Sequence, residues 1–289
     1  MLPIASRLAS NDGTIKYVWR LGDNNTIESV YLRFPKHDSL CISSQAGCNL
    51  RCAFCATGLD GLVRNLTSDE IVSQVESLFE DQGPPERTFE VSFMGMGEPL
   101  LNLEPVIESI ERLRSHYPDM LFSLSTVGLV PQIYSLAERE LKLQLQISLH
   151  APEDELRSQI MPINTKYPIA EVLEAANHYA SVTGSNFYVN YLLLDGVNDS
   201  YECAHALVAL LKGLPAYTRI AMYNSISEID LKPASQAQHE AFGKICAEGG
   251  LNMYQFNSLG VDIASGCGQL RSAVVRGTQL VPRPSRRAH

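Results

Sequence analysis

From residue 67 to residue 257, short apolar segments typical of β-strands alternate with longer segments that have the periodicity of amphipathic helices. This alternation is typical of βα units, in which helices cover a sheet of parallel strands. Thr67 with Glu70 three positions later is a capping box and marks the start of the first helix. The predicted strands are 89–95, 121–127, 143–150, 187–194, 219–223 and 252–257, and the predicted helices are 67–82, 103–116, 131–139, 153–160, 168–183, 201–213 and 235–249.

The first part of the chain has a different character, because it is rich in β-branched and aromatic residues. Segments 16–21 and 26–34 predict two strands, and the turn GDNN between them predicts a hairpin. A third strand, 39–44, leads into a cysteine-rich loop. We therefore expect an N-terminal β-hairpin extension over 1–37 and an α/β domain over 38–270. Residues 271–289 are expected to form a basic, proline-containing tail that frays.

Polar motifs follow several of the predicted strands. GMGEP follows the strand 89–95, STVG ends the strand 121–127, SLH ends the strand 143–150, and Asn224 comes directly after the strand 219–223. In parallel α/β sheets, ligands bind at the carboxyl ends of the strands. The sequence therefore predicts a ligand site at this edge of the sheet.

Three cysteines, Cys48, Cys52 and Cys55, follow the predicted strand 39–44 with the spacing C-x3-C-x2-C. Cysteine thiolates suit an iron–sulfur cluster. Three ligands would leave one iron of a [4Fe–4S] cluster open to chelate the amino and carboxylate groups of S-adenosylmethionine (SAM), whose carbon–sulfur bond breaks when an electron enters the sulfonium. Phe54 is placed to shield the cluster. On spacing alone, a zinc site with a distant fourth ligand, or simply buried thiols, are the alternatives.

Composition bounds the other properties of the chain. Seven cysteines, an odd number with four of them between positions 41 and 55, do not suggest a secreted disulfide framework. No apolar run of about 18 residues occurs, and no signal sequence is apparent, so a cytoplasmic location is expected. The net charge of −9 argues against extensive neutralisation of nucleic-acid phosphates, although a local basic patch would suffice.

Seven motifs between Asp12 and Leu270 resemble the radical-SAM adenine methyltransferases of the RlmN/Cfr type. The resemblance implies a partial (β/α)6 TIM-like barrel with a small N-terminal β extension. It also implies a [4Fe–4S] cluster and SAM as cofactors and an electron donor such as flavodoxin or ferredoxin. The motifs are DGTIKYVW, CISSQAGCNLRCAFCATG, GMGEPLLN, LSTVG, ISLHAP, LLLDGVND and DIASGCGQL.

The resemblance implies roles for residues outside the cysteine triad. Cys267, in GCGQL, would be methylated by one SAM, and a radical made from a second SAM would remove a hydrogen atom from that methyl group. The sulfur-bound methylene radical would add to a ring carbon of adenine. Glu28 would accept the ring proton, and Cys41 would form a disulfide with Cys267 to release the product. A buried structural thiol is the alternative for Cys41, and a solvent-facing hairpin residue is the alternative for Glu28.

The same resemblance implies the contacts with SAM. Gly97 and Glu98 of GMGEP would bind the amino group of its methionine moiety. The remaining contacts would come from strand ends, at Ser125, Ser148, Leu149, His150 and Asn224. Cys203 and Cys246 lie in predicted helices and are interpreted as core thiols.

Three departures from the family concern the substrate. Only about a dozen residues precede DGTIKYVW, so an N-terminal accessory domain is expected to be missing. The strand before Cys267, where the family has a basic run ending in Arg-Gly, is YQFNSLGVD and carries no positive charge. Ser225 follows Asn224 where proline is usual. Because lost cations are lost phosphate contacts, an RNA substrate is weakened as a prediction.

The sequence thus predicts a class A radical-SAM methyltransferase that methylates an sp2 carbon, foremost of adenine in ribosomal or transfer RNA, with two SAM per turnover. One alternative keeps this chemistry but changes the acceptor to a nucleotide-like small molecule or a peptide. An alternative of another class is a zinc- or cluster-binding module without catalysis.

Overall fold

A computed structural model describes residues 1–139, 141–256, 258–271, 273–276 and 279–282 of the chain. The residues divide into two compact units. The first unit is Met1–Arg51, Cys55–Leu124 and the chain from Leu259 onward; the second is Cys52–Phe54 and Ser125–Ser258.

The strands and helices alternate as the sequence predicts after the first helix. The strands are β1 (Ile4–Ala9), β2 (Ile15–Arg20), β3 (Thr26–Arg33), β4 (Asp38–Cys41), β5 (Gln45–Gly47), β6 (Leu62–Asn65), β7 (Phe89–Phe93), β8 (Leu121–Thr126), β9 (Gln144–Ser148), β10 (Phe187–Leu193), β11 (Ala216–Met222), β12 (Met253–Phe256), β13 (Ala273–Arg276) and β14 (Gln279–Pro282). The α-helices are α1 (Ser68–Gln82), α2 (Leu103–His116), α3 (Val130–Ala137), α4 (Asp154–Ile160), α5 (Ile169–Thr183), α6 (Tyr201–Leu211) and α7 (Gln236–Glu248).

In the first unit, four antiparallel strands lead into parallel ones. β1, β2, β3 and β4 pair in sequence order, and β4 then pairs with β7, and β7 with β8, in parallel. The predicted hairpin is therefore present as β2 and β3. The sequence did not predict β1, because its residues are largely exposed and lack an alternating apolar pattern.

A second short hairpin, β5 with β6, encloses the cysteine loop and was also not predicted from the sequence. Gly47 has φ +83, and a Cβ at this position would lie 2.1 Å from the carbonyl oxygen of Gly61. Glycine is therefore required where the two strands meet. The strands are only three and four residues long, so they carry too little pattern for prediction.

Helix α1 starts as the sequence predicts. The Thr67 side chain accepts from the Glu70 amide at 3.2 Å, and the Glu70 carboxylate accepts from the Thr67 amide at 3.0 Å. Ile71, Val75 and Leu78 form its buried side. Glu70 also pairs with Arg64 of β6 at 2.7 Å, which ties the cysteine-loop hairpin to the start of the helix.

The second unit contains parallel strands β9, β10, β11 and β12, paired in that order. Helices cover one face of this sheet. Tyr191 of β10 packs on Phe242 of α7 with ring centroids 5.2 Å apart, and the Tyr179 hydroxyl of α5 donates to the carbonyl of Leu143 at 2.8 Å. Together with β4, β7 and β8, these strands give the parallel α/β architecture that the alternation predicts.

The chain ends differ from the prediction in detail. Part of the segment expected to fray forms an antiparallel pair, β13 with β14, while residues 283–289 of the predicted tail lie outside the described residues. The last predicted strand ends at Phe256, and Asn257 also lies outside the described part. Within the described residues, no helix has the length and apolarity needed to cross a membrane.

Candidate active site

Glu98, the acidic residue of GMGEP, is buried in the first unit just after β7. Its amide donates to the side-chain oxygen of Gln45 at 2.8 Å, and its carboxylate accepts from the Leu100 amide at 3.1 Å. Gly97 has φ +102, and a Cβ there would lie 2.6 Å from the Cβ of Gln45. The glycine lets the loop approach Gln45, and Gln45 fixes the position of Glu98.

Cys48 and Cys55 belong to the first unit. Cys48 is buried, and its amide donates to the Gly61 carbonyl at 3.1 Å. Burial raises the pKa of the Cys48 thiol to about 12, opposed by hydrogen bonds to its sulfur from the backbone amides of Leu50 and Asn49. Nearby negative charge at Cys55 and Glu98 adds to the rise. Amide donors directed at sulfur are among the groups that tune iron–sulfur clusters.

Cys52 belongs to the second unit, on the short segment Cys52–Phe54. The Ala53 amide donates to the Ile160 carbonyl, at the end of α4, over 2.8 Å. Phe54 packs edge-on against the His150 ring with centroids 4.8 Å apart. Electrostatic attraction links Cys52 to Arg157 of α4. Helix α4 and the SLH motif therefore hold this cysteine segment.

The donor set fits an iron–sulfur cluster better than a single metal ion. All three cysteines of the motif are free of disulfides. No group of three or more His, Cys, Asp or Glu among the described residues could hold one metal ion. A closed zinc site needs four ligands around one ion, whereas each cysteine of a [4Fe–4S] cluster binds a different iron atom. The geometry therefore gives no support to the zinc alternative.

Cys41 and Cys267 come close together in the first unit. Cys41 ends β4, between Val30 of β3 and Ser92 of β7. Part of its side chain is accessible, but protein surrounds it closely, and this burial raises the pKa of the Cys41 thiol to about 12. The charge of Cys267 is the second cause of the rise, so the two sulfurs are within electrostatic range. Cys267 itself is exposed.

Glu28 is a buried carboxyl on β3, not the solvent-facing residue of the alternative interpretation. Burial raises the pKa of Glu28 to about 7, against the charge of Lys16, whose Nζ lies 3.6 Å from Oε2. The amide of Arg271 donates to the same oxygen at 3.2 Å. Glu28 therefore contacts the chain four residues beyond Cys267.

The segment that carries Cys267 is held at both ends by residues that sequence reasoning did not single out. Lys16 Nζ donates to the Ala264 carbonyl at 3.0 Å, before the cysteine. After it, the guanidinium of Arg271 pairs with Asp60 at 2.8 Å, and both side chains are almost buried. Thr57 Oγ1 donates to the Leu270 carbonyl at 2.6 Å. These partners are distant in sequence, so no local pattern could have revealed them.

In the second unit, Ser125 and Ser148 lie at the ends of β8 and β9, with their hydroxyl oxygens 3.1 Å apart. Leu149 is buried, and its amide donates to the Asn190 carbonyl at 3.1 Å. Asn224, after β11, donates from its side chain to the Ser258 hydroxyl at 2.8 Å. The structure thus gathers polar groups at the ends of these strands.

His150 has an unusual backbone conformation for a residue with a side chain, with φ +58. Its Nδ1 accepts from the Leu192 amide at 3.1 Å, and its carbonyl accepts from the Asn198 side chain at 2.7 Å. Burial, with the charge of Arg157 as a second cause, lowers the pKa of His150 to about 3. The ring is therefore neutral at pH 7, and because Nδ1 is an acceptor, Nε2 carries the proton.

Arg157 was also not predicted from the sequence, although it is wholly buried. Its guanidinium donates to the carbonyls of Val127 at 2.7 Å, Ser148 at 3.0 Å and Leu149 at 3.0 Å. A further bond reaches the side chain of Asn164 at 2.8 Å. Burial lowers the pKa of Arg157 to about 10, so it remains charged at neutral pH. One cation thus ties together the chain that follows β8 and β9.

The two cysteines interpreted as core thiols lie in helices. Cys246 of α7 is buried, and burial raises the pKa of its thiol to about 12. Cys203 lies in the first turn of α6 and is partly buried.

Comparison with known proteins shows the family. The radical SAM superfamily model matches residues 42–207, more than half of the chain. The chain belongs to the radical SAM superfamily. Within it, this radical-SAM chain is 41% identical to a probable dual-specificity RNA methyltransferase RlmN of Dictyoglomus turgidum, over 95% of this chain and 80% of that protein. It is 38% identical to the corresponding RlmN of Caldanaerobacter subterraneus, over 93% and 79%.

Solved structures agree with this assignment. A radical SAM methyltransferase from Sphaerobacter thermophilus superimposes with a TM-score of 0.89 at 36% identity, covering 93% of this chain and 81% of that one. Streptococcus suis SuiB bound to S-adenosylmethionine shares the fold alone, at 14% identity and a TM-score of 0.58. The chain is therefore a radical-SAM methyltransferase of the RlmN family, with a [4Fe–4S] cluster and SAM as its cofactors. The predicted resemblance, fold class, enzyme class and cofactors are confirmed.

Proposed function

We propose that this methyltransferase methylates an sp2 carbon of adenine in RNA, with Cys267 as the methyl carrier. The observation that carries the proposal is the proximity of Cys41, Cys267 and Glu28's partner Arg271 within one unit. The names of its relatives, which are RNA methyltransferases, support RNA as the substrate class. Because the net charge is −9, the phosphates of that RNA would be met by local cations rather than by the bulk charge.

We assign the cofactor contacts as follows. Cys48, Cys52 and Cys55 hold the cluster, which when bound supplies the electron that cleaves SAM to a carbon radical. Gly97 and Glu98 bind the ammonium of the methionine moiety, since a buried carboxylate favours a cationic partner. The other contacts with SAM come from Ser125, Ser148, Leu149, His150 and Asn224. The neutral His150 contributes an Nε2 proton as a donor.

The protein's own groups then account for the remaining chemistry. Cys267 gives up its thiol proton when its sulfur takes the first methyl group as a thioether. Glu28, with a pKa near neutrality, accepts the ring proton after the new carbon–carbon bond has formed. The Cys41 sulfur then attacks the Cys267 sulfur. The S–S bond forms as the bond from Cys267 to the transferred carbon breaks, and the electron pair leaves with that carbon, which takes up a proton.

This cycle oxidises two thiols in each turnover, so a reductant must restore them. We infer a low-potential electron donor such as flavodoxin or ferredoxin for the cluster, and a thiol reductant or the same donor for the disulfide. A reducing compartment, the cytoplasm, suits a chain whose seven cysteines are all free.

The decisive experiment is anaerobic turnover of the reconstituted enzyme with ribosomal RNA, transfer RNA and free adenine nucleotides, followed by nucleoside mass spectrometry. We expect a methylated adenosine in one of the two RNA digests. Cleavage of SAM without a methylated base in either RNA would exclude RNA adenine as the acceptor, and methylation of the free nucleotides alone would identify a small-molecule enzyme.

A further inference from the structure

The sheet of the second unit has one face that is polar and aromatic. Along β10 and β11, buried residues alternate with accessible ones, and the accessible positions carry Tyr188, Asn190, Tyr217 and Arg219. Tyr254 of β12 stands beside Arg219 in the register. With Gln146 of β9, these side chains contact one another, so they share one face. We call these six residues the tyrosine face.

Three aromatic rings from three adjacent strands form the centre of this face. Tyr188 and Tyr217 stack with ring centroids 5.3 Å apart, and Tyr254 meets Tyr188 edge-on at 6.4 Å. The guanidinium of Arg219 lies over the rings of Tyr188 at 4.4 Å and Tyr254 at 5.4 Å. Tyr217 is 38% exposed and Tyr254 is 41% exposed. The face therefore presents rings to solvent, held in place by a cation between them.

A buried amide donor at the edge of these rings lacks a partner. Gln146 Oε1 accepts from Arg219 Nη1 at 2.8 Å and from Asn190 Nδ2 at 3.1 Å, which fixes the orientation of the amide. Gln146 is fully buried, and its Nε2 has no hydrogen-bond partner among the described residues. Leaving a buried donor unpaired is unfavourable, so this group indicates an acceptor that a ligand supplies.

The charge of the tyrosine face differs from that of the whole chain. Among the described residues of β9 to β12, no aspartate or glutamate is present, and Arg219 is the cation of these strands. The chain as a whole has a net charge of −9. A surface without carboxylates, with stacked rings, one arginine and amide side chains, complements the flat faces and polar edges of nucleobases on an anionic backbone.

We propose that the tyrosine face is a stacking platform for unpaired bases of a single-stranded RNA segment. This inference rests on the proposed function, because it takes RNA as the substrate. β12 is the strand on which the basic run of related enzymes is replaced by YQF, so base stacking on Tyr254 and its neighbours takes the place of phosphate contacts there. Stacking does not select one base, which suits binding to the bases next to a target adenine.

The test is binding of a fluorescein-labelled single-stranded oligoribonucleotide to the full chain, followed by anisotropy. Tyr217→Ala and Tyr254→Ala should each weaken binding about tenfold, as expected for the loss of one stacked base. Tyr217→Phe and Tyr254→Phe should bind within about twofold of the wild type, since the ring remains. The slope of affinity against salt should not change in any of these variants, because none removes a charge.

Tyr201→Ala is the matched control, since Tyr201 is 52% exposed at the start of α6 and away from the tyrosine face. It should bind RNA like the wild type, and circular dichroism should show all variants folded. As an independent measurement, photo-crosslinking of the wild type with RNA that contains 4-thiouridine should give adducts on peptides of β11 or β12. Alanine variants that bind like the wild type, or adducts confined to other peptides, would overturn the stacking platform while the proposed function stands. Absence of both RNA binding and RNA methylation in the wild type would overturn the two together.

Discussion

The amide of Ala56, the residue after Cys55, donates to the carbonyl of Gly268, the residue after Cys267, over 2.7 Å. The chain that follows the last cysteine of the cluster motif is therefore directly bonded to the chain that carries the proposed methyl carrier. Gly268 has φ +81, a conformation that glycine adopts without strain. This single backbone bond sets the position of the carrier loop relative to Cys55, so carrier and cluster motif are joined without any side chain.

Cys41→Ala should trap the covalent intermediate between Cys267 and RNA, because no second thiol remains to break the bond to the transferred carbon. Denaturing gels and mass spectrometry of the RNA–protein adduct are the measurement. Cys203→Ala, at a thiol in α6, is the control and should release methylated RNA normally. Normal product release by Cys41→Ala would show that another group resolves the adduct.

Glu28 makes stability depend on pH in a direction opposite to that of most carboxylates. Its folded-state pKa, about 7, lies above the unfolded value of 4.5, so the folded state binds more protons between these pH values. Stability is therefore greatest below pH 4.5 for this group and is lost as pH rises to about 7, by about 3 kcal/mol. Urea unfolding of the wild type should show this loss relative to Glu28→Gln, and equal pH profiles would contradict it.

The pair of Asp60 and Arg271 should stabilise the carrier loop. Asp60→Ala leaves the guanidinium nearly buried without its carboxylate, so we expect a loss of about 2 kcal/mol in the free energy of unfolding. Asp69→Ala is the control, because Asp69 is 80% exposed in its pair with Arg112 and should cost less than about 0.5 kcal/mol. Denaturant unfolding measures both, and equal effects would show that the loop does not depend on the ion pair.

Arg157→Met should be among the most destabilising substitutions in the second unit. It removes bonds to the carbonyls of Val127, Ser148 and Leu149 and leaves these acceptors without the buried cation, at a cost of about 3 kcal/mol or more. Because Ser148 and Leu149 are proposed contacts of SAM, its affinity should fall as well, measured by calorimetry. Arg112→Met, at an exposed helix position, should change neither quantity. Full stability of Arg157→Met would contradict the role described here.

Much of the site could be predicted from the sequence because its signals are local. The triad Cys48, Cys52 and Cys55 lies within eight residues, and Glu98 and His150 stand in short motifs directly after strands. The helix start at Thr67 was predicted for the same reason, since the capping box spans four residues. The alternation of strands and helices likewise follows from periodicities that are properties of each segment alone.

The tertiary structure decided everything that depends on partners far apart in the chain. The sequence by itself determined the α/β class, the cluster motif and, through family resemblance, the carrier cysteine. It could not show that Glu28 is buried beside Lys16 and Arg271, that Arg157 joins the ends of two strands, or that Tyr188, Tyr217 and Tyr254 lie on one face. Burial raises a pKa and pairing offsets it only once the fold has excluded water and brought distant groups together, and local patterns carry no record of which groups will meet.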